Sequence, residues 1–308
     1  LSGLSAGVFG HTTRMLAFSV AAFQLLLAAL MLPSPVGPLV TIGMVANAAL
    51  VWLAMLVGFR GVVPRRVLIV AWLLSIPVTI LLLRGVEGTP LPAVGTNEWG
   101  GLLLTVLLAV VGIVLSFPLG VVLALGRRSA LPAIRVVSTG YIELIRGVPL
   151  VTILFMADVM LPFFLPGEVR IDRVTRAMGG ITLFSAAYVA ENVRGGLQAI
   201  PSGQLEAAQA LGLRSWQTNR FIVLPQALRA VIPANVGLFI SLLKDTTLVA
   251  IIGLAELLGI GQAILAQPDS LGAHLEVFFF IGVIFFVLCY AMSQASYRLE
   301  RELGVGTR

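Results

Sequence analysis

Charge is scarce in this 308-residue sequence. Only 11% of its residues are Asp, Glu, Lys or Arg, against about 25% in a soluble globular domain. One cysteine, Cys289, lies in an apolar run, so no disulfide framework is possible. Two histidines, His11 and His274, stand far apart, and with one cysteine they offer no zinc-ligand spacing and no nucleophile–base pairing. Both histidines read as interface residues, and neither a catalytic residue nor a metal ligand is assigned. The single lysine, Lys244, is flanked by Leu243 and Asp245. A G-x-x-x-x-G-K-[ST] phosphate loop is therefore excluded, and the chain is not its own ATPase.

What replaces charge is apolar length: 58% of the residues are hydrophobic. A bilayer span needs about 20 such residues, and the pattern predicts an all-α integral membrane protein with about eight spans. Three precede the rest: Leu16–Leu32, Leu39–Phe59 and Val67–Leu83. The first run is too long for a cleavable signal peptide, and others follow it. The polar stretch Arg84–Gly100 then separates an N-terminal unit, 1–98, from a core, 99–308. The core reads as Leu102–Leu125, the long Val136–Leu165, Ala177–Ala199, a span from near Gln226 through Pro233 to Lys244-Asp245, and Leu275–Leu299. Thr247–Leu265 is apolar but interrupted by Gly253, Glu256, Gly259 and Gly261. It reads as the broken end of the seventh span plus a re-entrant or interfacial piece, which backbone lining an enclosed cavity tolerates.

The formal net charge of +6 would suggest nucleic acid in a soluble chain. Here the arginines flank the spans, so topology accounts for them and no nucleic-acid partner is expected. With eight spans and both termini inside, 13 arginines fall on the cytoplasmic side and 4 outside (Arg84, Arg170, Arg173, Arg176), as the positive-inside tendency requires.

Between the third and fourth core spans lies a polar-faced island, about 200–226. Ser202 is placed to cap a helix from about Gly203 to Leu211. Gly212 is a natural stop for it. Ser215 is placed to cap a second short helix ending before Pro225. Glu206-Ala207-Ala208, three residues, Gly212, nine residues, then Ile222-x-Leu224-Pro225 resembles the EAA signature of permease subunits of type I ABC importers, with the spacing correct throughout. The resemblance implies that this loop is cytoplasmic, docks in a groove of the ATP-binding subunit and passes ATP-driven motion to the membrane helices. It implies two ATPase subunits per complex that use ATP and Mg²⁺, no cofactor on this chain, a second permease subunit, and an extracytoplasmic binding protein that delivers substrate. It places the chain in a bacterial inner membrane, working by alternating access.

Ionisable side chains within spans are costly and face partners or water. Glu143 and Arg146 are three apart on one helix face, and Glu191 and Arg194 repeat that spacing. Each pair reads either as a self-neutralising ion pair near the cytoplasmic face or as a polar wall of the pathway. Asp158 sits deeper in its span, towards the outer face. Lys244-Asp245 is either an interface pair or a site element. Pro149, Pro162 and Pro233 either kink helices or sit at their ends. Gly112, Gly120 and Gly126 read as helix-packing residues.

Tyr141–Leu150, Tyr188–Gln204 and Leu243–Val249 resemble segments of the polar amino-acid branch (His/Glu/Gln/Arg/opine type) of these permeases, whose members commonly have five core spans. The resemblance covers about Trp99–Glu302. The three added spans depart from the five-span pattern and resemble the longer permease of importers with two different permeases, which points to a homologue as the second subunit. A stand-alone ion-coupled secondary transporter is the alternative, although no inverted repeat is evident and the Glu-Ala-Ala island would then have no role.

Overall fold

A computed structural model describes residues 95–167, 170–302 and 304, and Gly95–Arg308 forms one compact unit. The three N-terminal spans, the 1–98 unit as a whole and His11 lie outside the described residues except for its last four positions. Among the described residues the structure is helical, with no strand.

Helix α1 is Gly101–Arg127, α2 Pro132–Arg146, and α3 Leu150–Phe164 with a π-helical turn at Met156–Met160. Helix α4 is Arg173–Gln198 and α5 Ser202–Ala210. Helix α6 covers 215–230, with a π-helical turn at Asn219–Val223. Helix α7 is Ile232–Asp245, prolonged as a 3₁₀ helix over Thr246–Ile252. Helix α8 is Leu257–Leu265 and α9 His274–Glu302.

Helices α1 and α4 form the central seam. Leu104, Leu108, Val111 and Ala124 of α1 are buried, as are Ala177, Ile181, Val189 and Val193 of α4. The seam closes because small residues let the backbones approach. A Cβ added at Gly120 would lie 2.5 Å from Val189 Cγ1 and 2.9 Å from the carbonyl oxygen of Ala186. Gly112 faces Ile181 in the same seam, and Gly126 faces Ser138 of α2.

Among the described residues three helices are long and apolar enough to cross a bilayer: α1, Ile232–Ile252 and His274–Arg301. Helix α9 leaves Phe279, Phe280, Phe286 and Tyr290 exposed, as a lipid-facing helix does. Helix α4 has 26 residues and the required length, but it carries Arg173, Arg176, Glu191 and Arg194 and is shielded by its neighbours.

The structure corrects the expected single span Val136–Leu165. Helices α2 and α3 are bent from one another by 107°. Pro149 lacks an N–H and disfavours helical backbone at Val148, and it becomes the N-cap of α3. Pro162 lies in the last turn of α3, just after its π-helical turn, and Pro233 sits in the first turn of α7. The span expected to begin near Gln226 begins at Ile232, because the chain breaks at Val231 between α6 and α7. Thr247–Leu265 is no continuous helix: Gly253 takes a left-handed φ of 78° and α8 has nine residues, about 14 Å and too short to span.

One buried acid anchors that irregular stretch. Glu256 is fully buried, and its carboxylate accepts from the amides of Leu258 and Gly259, both at 2.9 Å. Thr105 Oγ1 of α1 also donates to it at 3.4 Å, and accepts from Leu257 N–H at 3.1 Å. The Gly101 N–H donates to the Ala255 carbonyl at 2.8 Å. The start of α8 is thereby tied to the start of α1.

Candidate functional site

The island at 200–226 folds as an elbow of two helices. Helix α5 begins at Ser202, and Pro201 is its N-cap with no side-chain hydrogen bond. Ser202 therefore does not cap the helix: proline's fixed φ presets the entry, and the Gln204 N–H donates to the Pro201 carbonyl at 3.0 Å. The other end closes at Gly212, with φ of 72°. Gly212 N–H donates to the Gln209 carbonyl at 2.9 Å and Leu213 N–H to that of Ala208 at 3.1 Å, which is the Schellman arrangement.

The second arm does not end before Pro225. The π-helical turn Asn219–Val223 leads directly into Leu224–Ala230, with Pro225 in the first turn of that segment. A widened turn relieves the clash and missing donor that proline brings to a regular helix. The Gln226 side chain donates to the Ile222 carbonyl at 2.9 Å and to Gln204 Oε1 at 3.4 Å, joining the two arms.

The seven signature residues divide by face. Glu206, Ala207, Gly212 and Pro225 are exposed, and Ile222 and Leu224 are half-buried. Ala208 is the one buried residue of α5, so its small side chain lets the helix lie close to the protein while Glu206 points away. The second arm is rooted in an apolar core where Val223, Ala227 and Val231 meet Ala124, Ile142, Val189, Ala190, Val193 and Leu197. That core joins the elbow to α1, α2 and α4.

Beside this core lies a charge cluster. Glu143 and Arg146 share a helix but do not pair with one another. Arg127 Nη2, at the end of α1, donates to Glu143 Oε1 at 2.9 Å. Arg127 Nη1 reaches Glu191 Oε2 at 3.4 Å, and Arg146 Nη1 lies 3.3 Å from the same oxygen. Arg146 also lies 5.8 Å from the Tyr188 ring centroid. Glu191 and Arg194 do pair along α4, and Arg194 Nη1 donates to Gln198 Oε1 at 2.8 Å. Three guanidinium groups thus surround two carboxylates, leaving one positive charge in excess. Three helices are clamped together, and the chain of contacts runs to the last residue of α4, just ahead of the elbow.

Lys244 and Asp245 join no such cluster, and neither forms an ion pair among the described residues. Lys244 is exposed and Asp245 half-buried. Asp158 is held by Arg173 at 3.3 Å and Arg176 at 3.1 Å, at the other end of α4. His274 is exposed at the start of α9. Sequence reasoning missed Arg127, which reads there as one more membrane-flanking arginine. It also missed the Asn192–Asn235 hydrogen bond of 3.0 Å between α4 and α7, and the anchoring role of Glu256. Arg127 and the Asn192–Asn235 bond have no local signal, since each depends on a partner distant in sequence. Glu256 caps the amides of Leu258 and Gly259 locally, and only its bond with Thr105 is long-range.

The arrangement is that of helices long and apolar enough to cross a membrane, carrying a two-helix elbow rooted in their core. Residues 116–304 match the family described as binding-protein-dependent transport system inner membrane component. The chain is 44% identical over 262 residues to the inner membrane amino-acid ABC transporter permease protein YhdY of Escherichia coli, covering 82% of this chain and 71% of that one. It is 47% identical over 214 residues to BztC of Rhodobacter capsulatus, a glutamate/glutamine/aspartate/asparagine transport system permease, covering 69% of this chain and 49% of that one. Among solved structures it is similar to an amino acid ABC transporter crystallised with histidines, with TM-score 0.59, 32% identity, and coverage of 66% of this chain and 92% of that one. The chain belongs to the binding-protein-dependent transport system inner membrane component family. It is a multi-pass inner-membrane permease subunit of an ABC importer, whose family works with ATPase and binding-protein partners, and not a stand-alone secondary transporter.

Proposed function

We propose that this chain is the longer permease subunit of an importer for polar L-amino acids. The amino-acid substrates in the names of its relatives support this class. Glu206, Ala207, Ala208, Gly212, Ile222, Leu224 and Pro225 form the contact with a separate ATPase, of which each complex carries two. ATP and Mg²⁺ are bound and used there, and this chain binds no cofactor. The observation that carries the reading is the elbow itself: Glu206 outward, Ala208 inward, and a left-handed Gly212 between two arms rooted in the helix core.

Movement of the ATPase subunits rocks α4 and α6 together, because the elbow joins both. Glu143, Arg146, Glu191, Arg194, Lys244 and Asp245 stand as the candidate pathway residues. The second permease is a homologue, and both termini are cytoplasmic. Residues 1–98 are a membrane extension. The alignment with the Escherichia coli relative covers more of this chain than Gly95–Arg308 holds, so that relative shares part of the extension.

The test is reconstitution. The chain is purified with its ATPase and companion permease, placed in proteoliposomes with binding protein, and assayed for ATP-dependent uptake of radiolabelled glutamate, glutamine, aspartate and histidine. Uptake of at least one is expected. ATP-independent uptake by the isolated chain, or no co-purifying ATPase, overturns the reading.

A further inference from the structure

A crevice of about 810 Å³ opens between the end of α1, the start of α2 and the elbow. Val122 of α1, Ile134 of α2 and Leu224 of α6 give it an apolar wall. Arg128, Arg220 and Trp216 also line it, and no carboxylate does. Arg128 and Arg220 are exposed, and neither has an ion-pair partner among the described residues. Arg127, Arg146, Arg173, Arg176 and Arg194 are paired, whereas Arg135, Arg170, Arg214, Arg229, Arg298 and Arg301 also lack an ion pair among the described residues but do not line this crevice. Arg220 lies 5.9 Å from the Phe221 ring centroid.

Depth in the bilayer gives the contrast a meaning. The 27 residues of α1 are about 40 Å long, the thickness of the hydrocarbon core plus both headgroup layers. The end of α1 at Arg127 and Arg128 therefore reaches headgroup level. The apolar wall begins one to two turns deeper, at Val122. Trp216 is 56% exposed and is a residue type favoured at the interface. Two unpaired cations above an apolar slot at that depth are complementary to one kind of molecule, an acyl chain bearing a negatively charged headgroup.

We propose that this crevice is a binding site for an anionic phospholipid, with its phosphate on Arg128 and Arg220 and an acyl chain along Val122 and Ile134. The lipid fills the gap between α2 and the elbow, and so braces the elbow against the membrane helices. Assignment to the cytoplasmic leaflet rests on the orientation proposed above; binding in detergent does not, so the two readings fail separately.

The experiment is native mass spectrometry of the purified transporter complex, titrated with phosphatidylglycerol or phosphatidylcholine. Phosphatidylglycerol should bind preferentially, and raising the salt should weaken it. Replacing both cations, as Arg128→Gln with Arg220→Gln, should lower its retention about 30-fold, at about fivefold per arginine. Arg135→Gln, outside the crevice, should change nothing. Val122→Phe keeps both charges and narrows the slot, and should also weaken binding. Equal binding of the two lipids, unchanged retention in the double variant, or displacement by millimolar inorganic phosphate alone would overturn the proposal. Should the double variant not fold, the salt dependence and lipid preference of the unaltered complex decide it.

Discussion

Arg127 and Glu191 are 64 positions apart in the chain and 3.4 Å apart in the fold. Their contact joins the end of the first core helix to the helix that leads into the elbow. Glu191 also serves Arg146 and Arg194, so one carboxylate holds three guanidinium groups from three helices.

Removing that carboxylate should cost more than removing any one arginine. Breaking a buried pair costs about 3–5 kcal/mol, and the 21% exposure of the Glu191 side chain reduces this to about 1–3 kcal/mol for Glu191→Gln. Arg194→Gln should cost less, because Arg127 and Arg146 continue to neutralise Glu191. Thermal unfolding in detergent measures both. A smaller loss for Glu191→Gln than for Arg194→Gln would refute the hub.

Gly212 has a left-handed backbone and open space where a Cβ would go. Gly212→Ala should therefore cost only the backbone strain, about 1–2 kcal/mol, and Gly212→Asn less, since asparagine tolerates this conformation. Gly212→Asp should fold as well as Gly212→Asn yet place a charge at the proposed docking face. ATP hydrolysis in that variant is expected to continue while uptake in vesicles falls. Uptake equal to that of the unaltered protein would count against the docking role.

The seam between α1 and α4 should be intolerant of volume. A Cβ at Gly120 meets both a side chain and the carbonyl oxygen of Ala186, so Gly120→Val must separate the helices. Overpacking of this kind costs about 1–3 kcal/mol. A lowered unfolding temperature is expected, and an unchanged one would show that the helices yield freely.

Glu256→Ala should loosen the start of α8. It removes the acceptor for two amides and for Thr105, and loss of a helix cap costs about 0.5–2 kcal/mol. Hydrogen exchange at Leu258 and Gly259 should accelerate. Protection equal to that of the unaltered chain would show that the cap is dispensable.

Much of the elbow was legible because its determinants are local. A glycine that stops a helix acts within a few residues, so the Glu206–Pro225 spacing predicts two arms around Gly212, whereas the inward face of Ala208 emerged only from the structure. The misreadings there also have local causes. Ser202 was passed over because Pro201 already presets the helix entry, and Pro225 did not end the second arm because a π-helical turn accommodates it. Pro149 marked a kink or a helix end, but the 107° bend at Gly147–Pro149 was not separated from a single span because apolar length is the same whether the helix is straight or broken.

By itself the sequence determined that this is a helical membrane protein with no phosphate loop and a two-armed elbow, because apolar length and short-range turn chemistry are written residue by residue; the importer type was implied by the elbow's resemblance to the EAA signature. Only the tertiary structure decided which charges meet. Glu143 and Arg146 have the spacing of a pair and are drawn instead to Arg127 and Glu191, because close packing of α1, α2 and α4 brings nearer partners than their own helix offers.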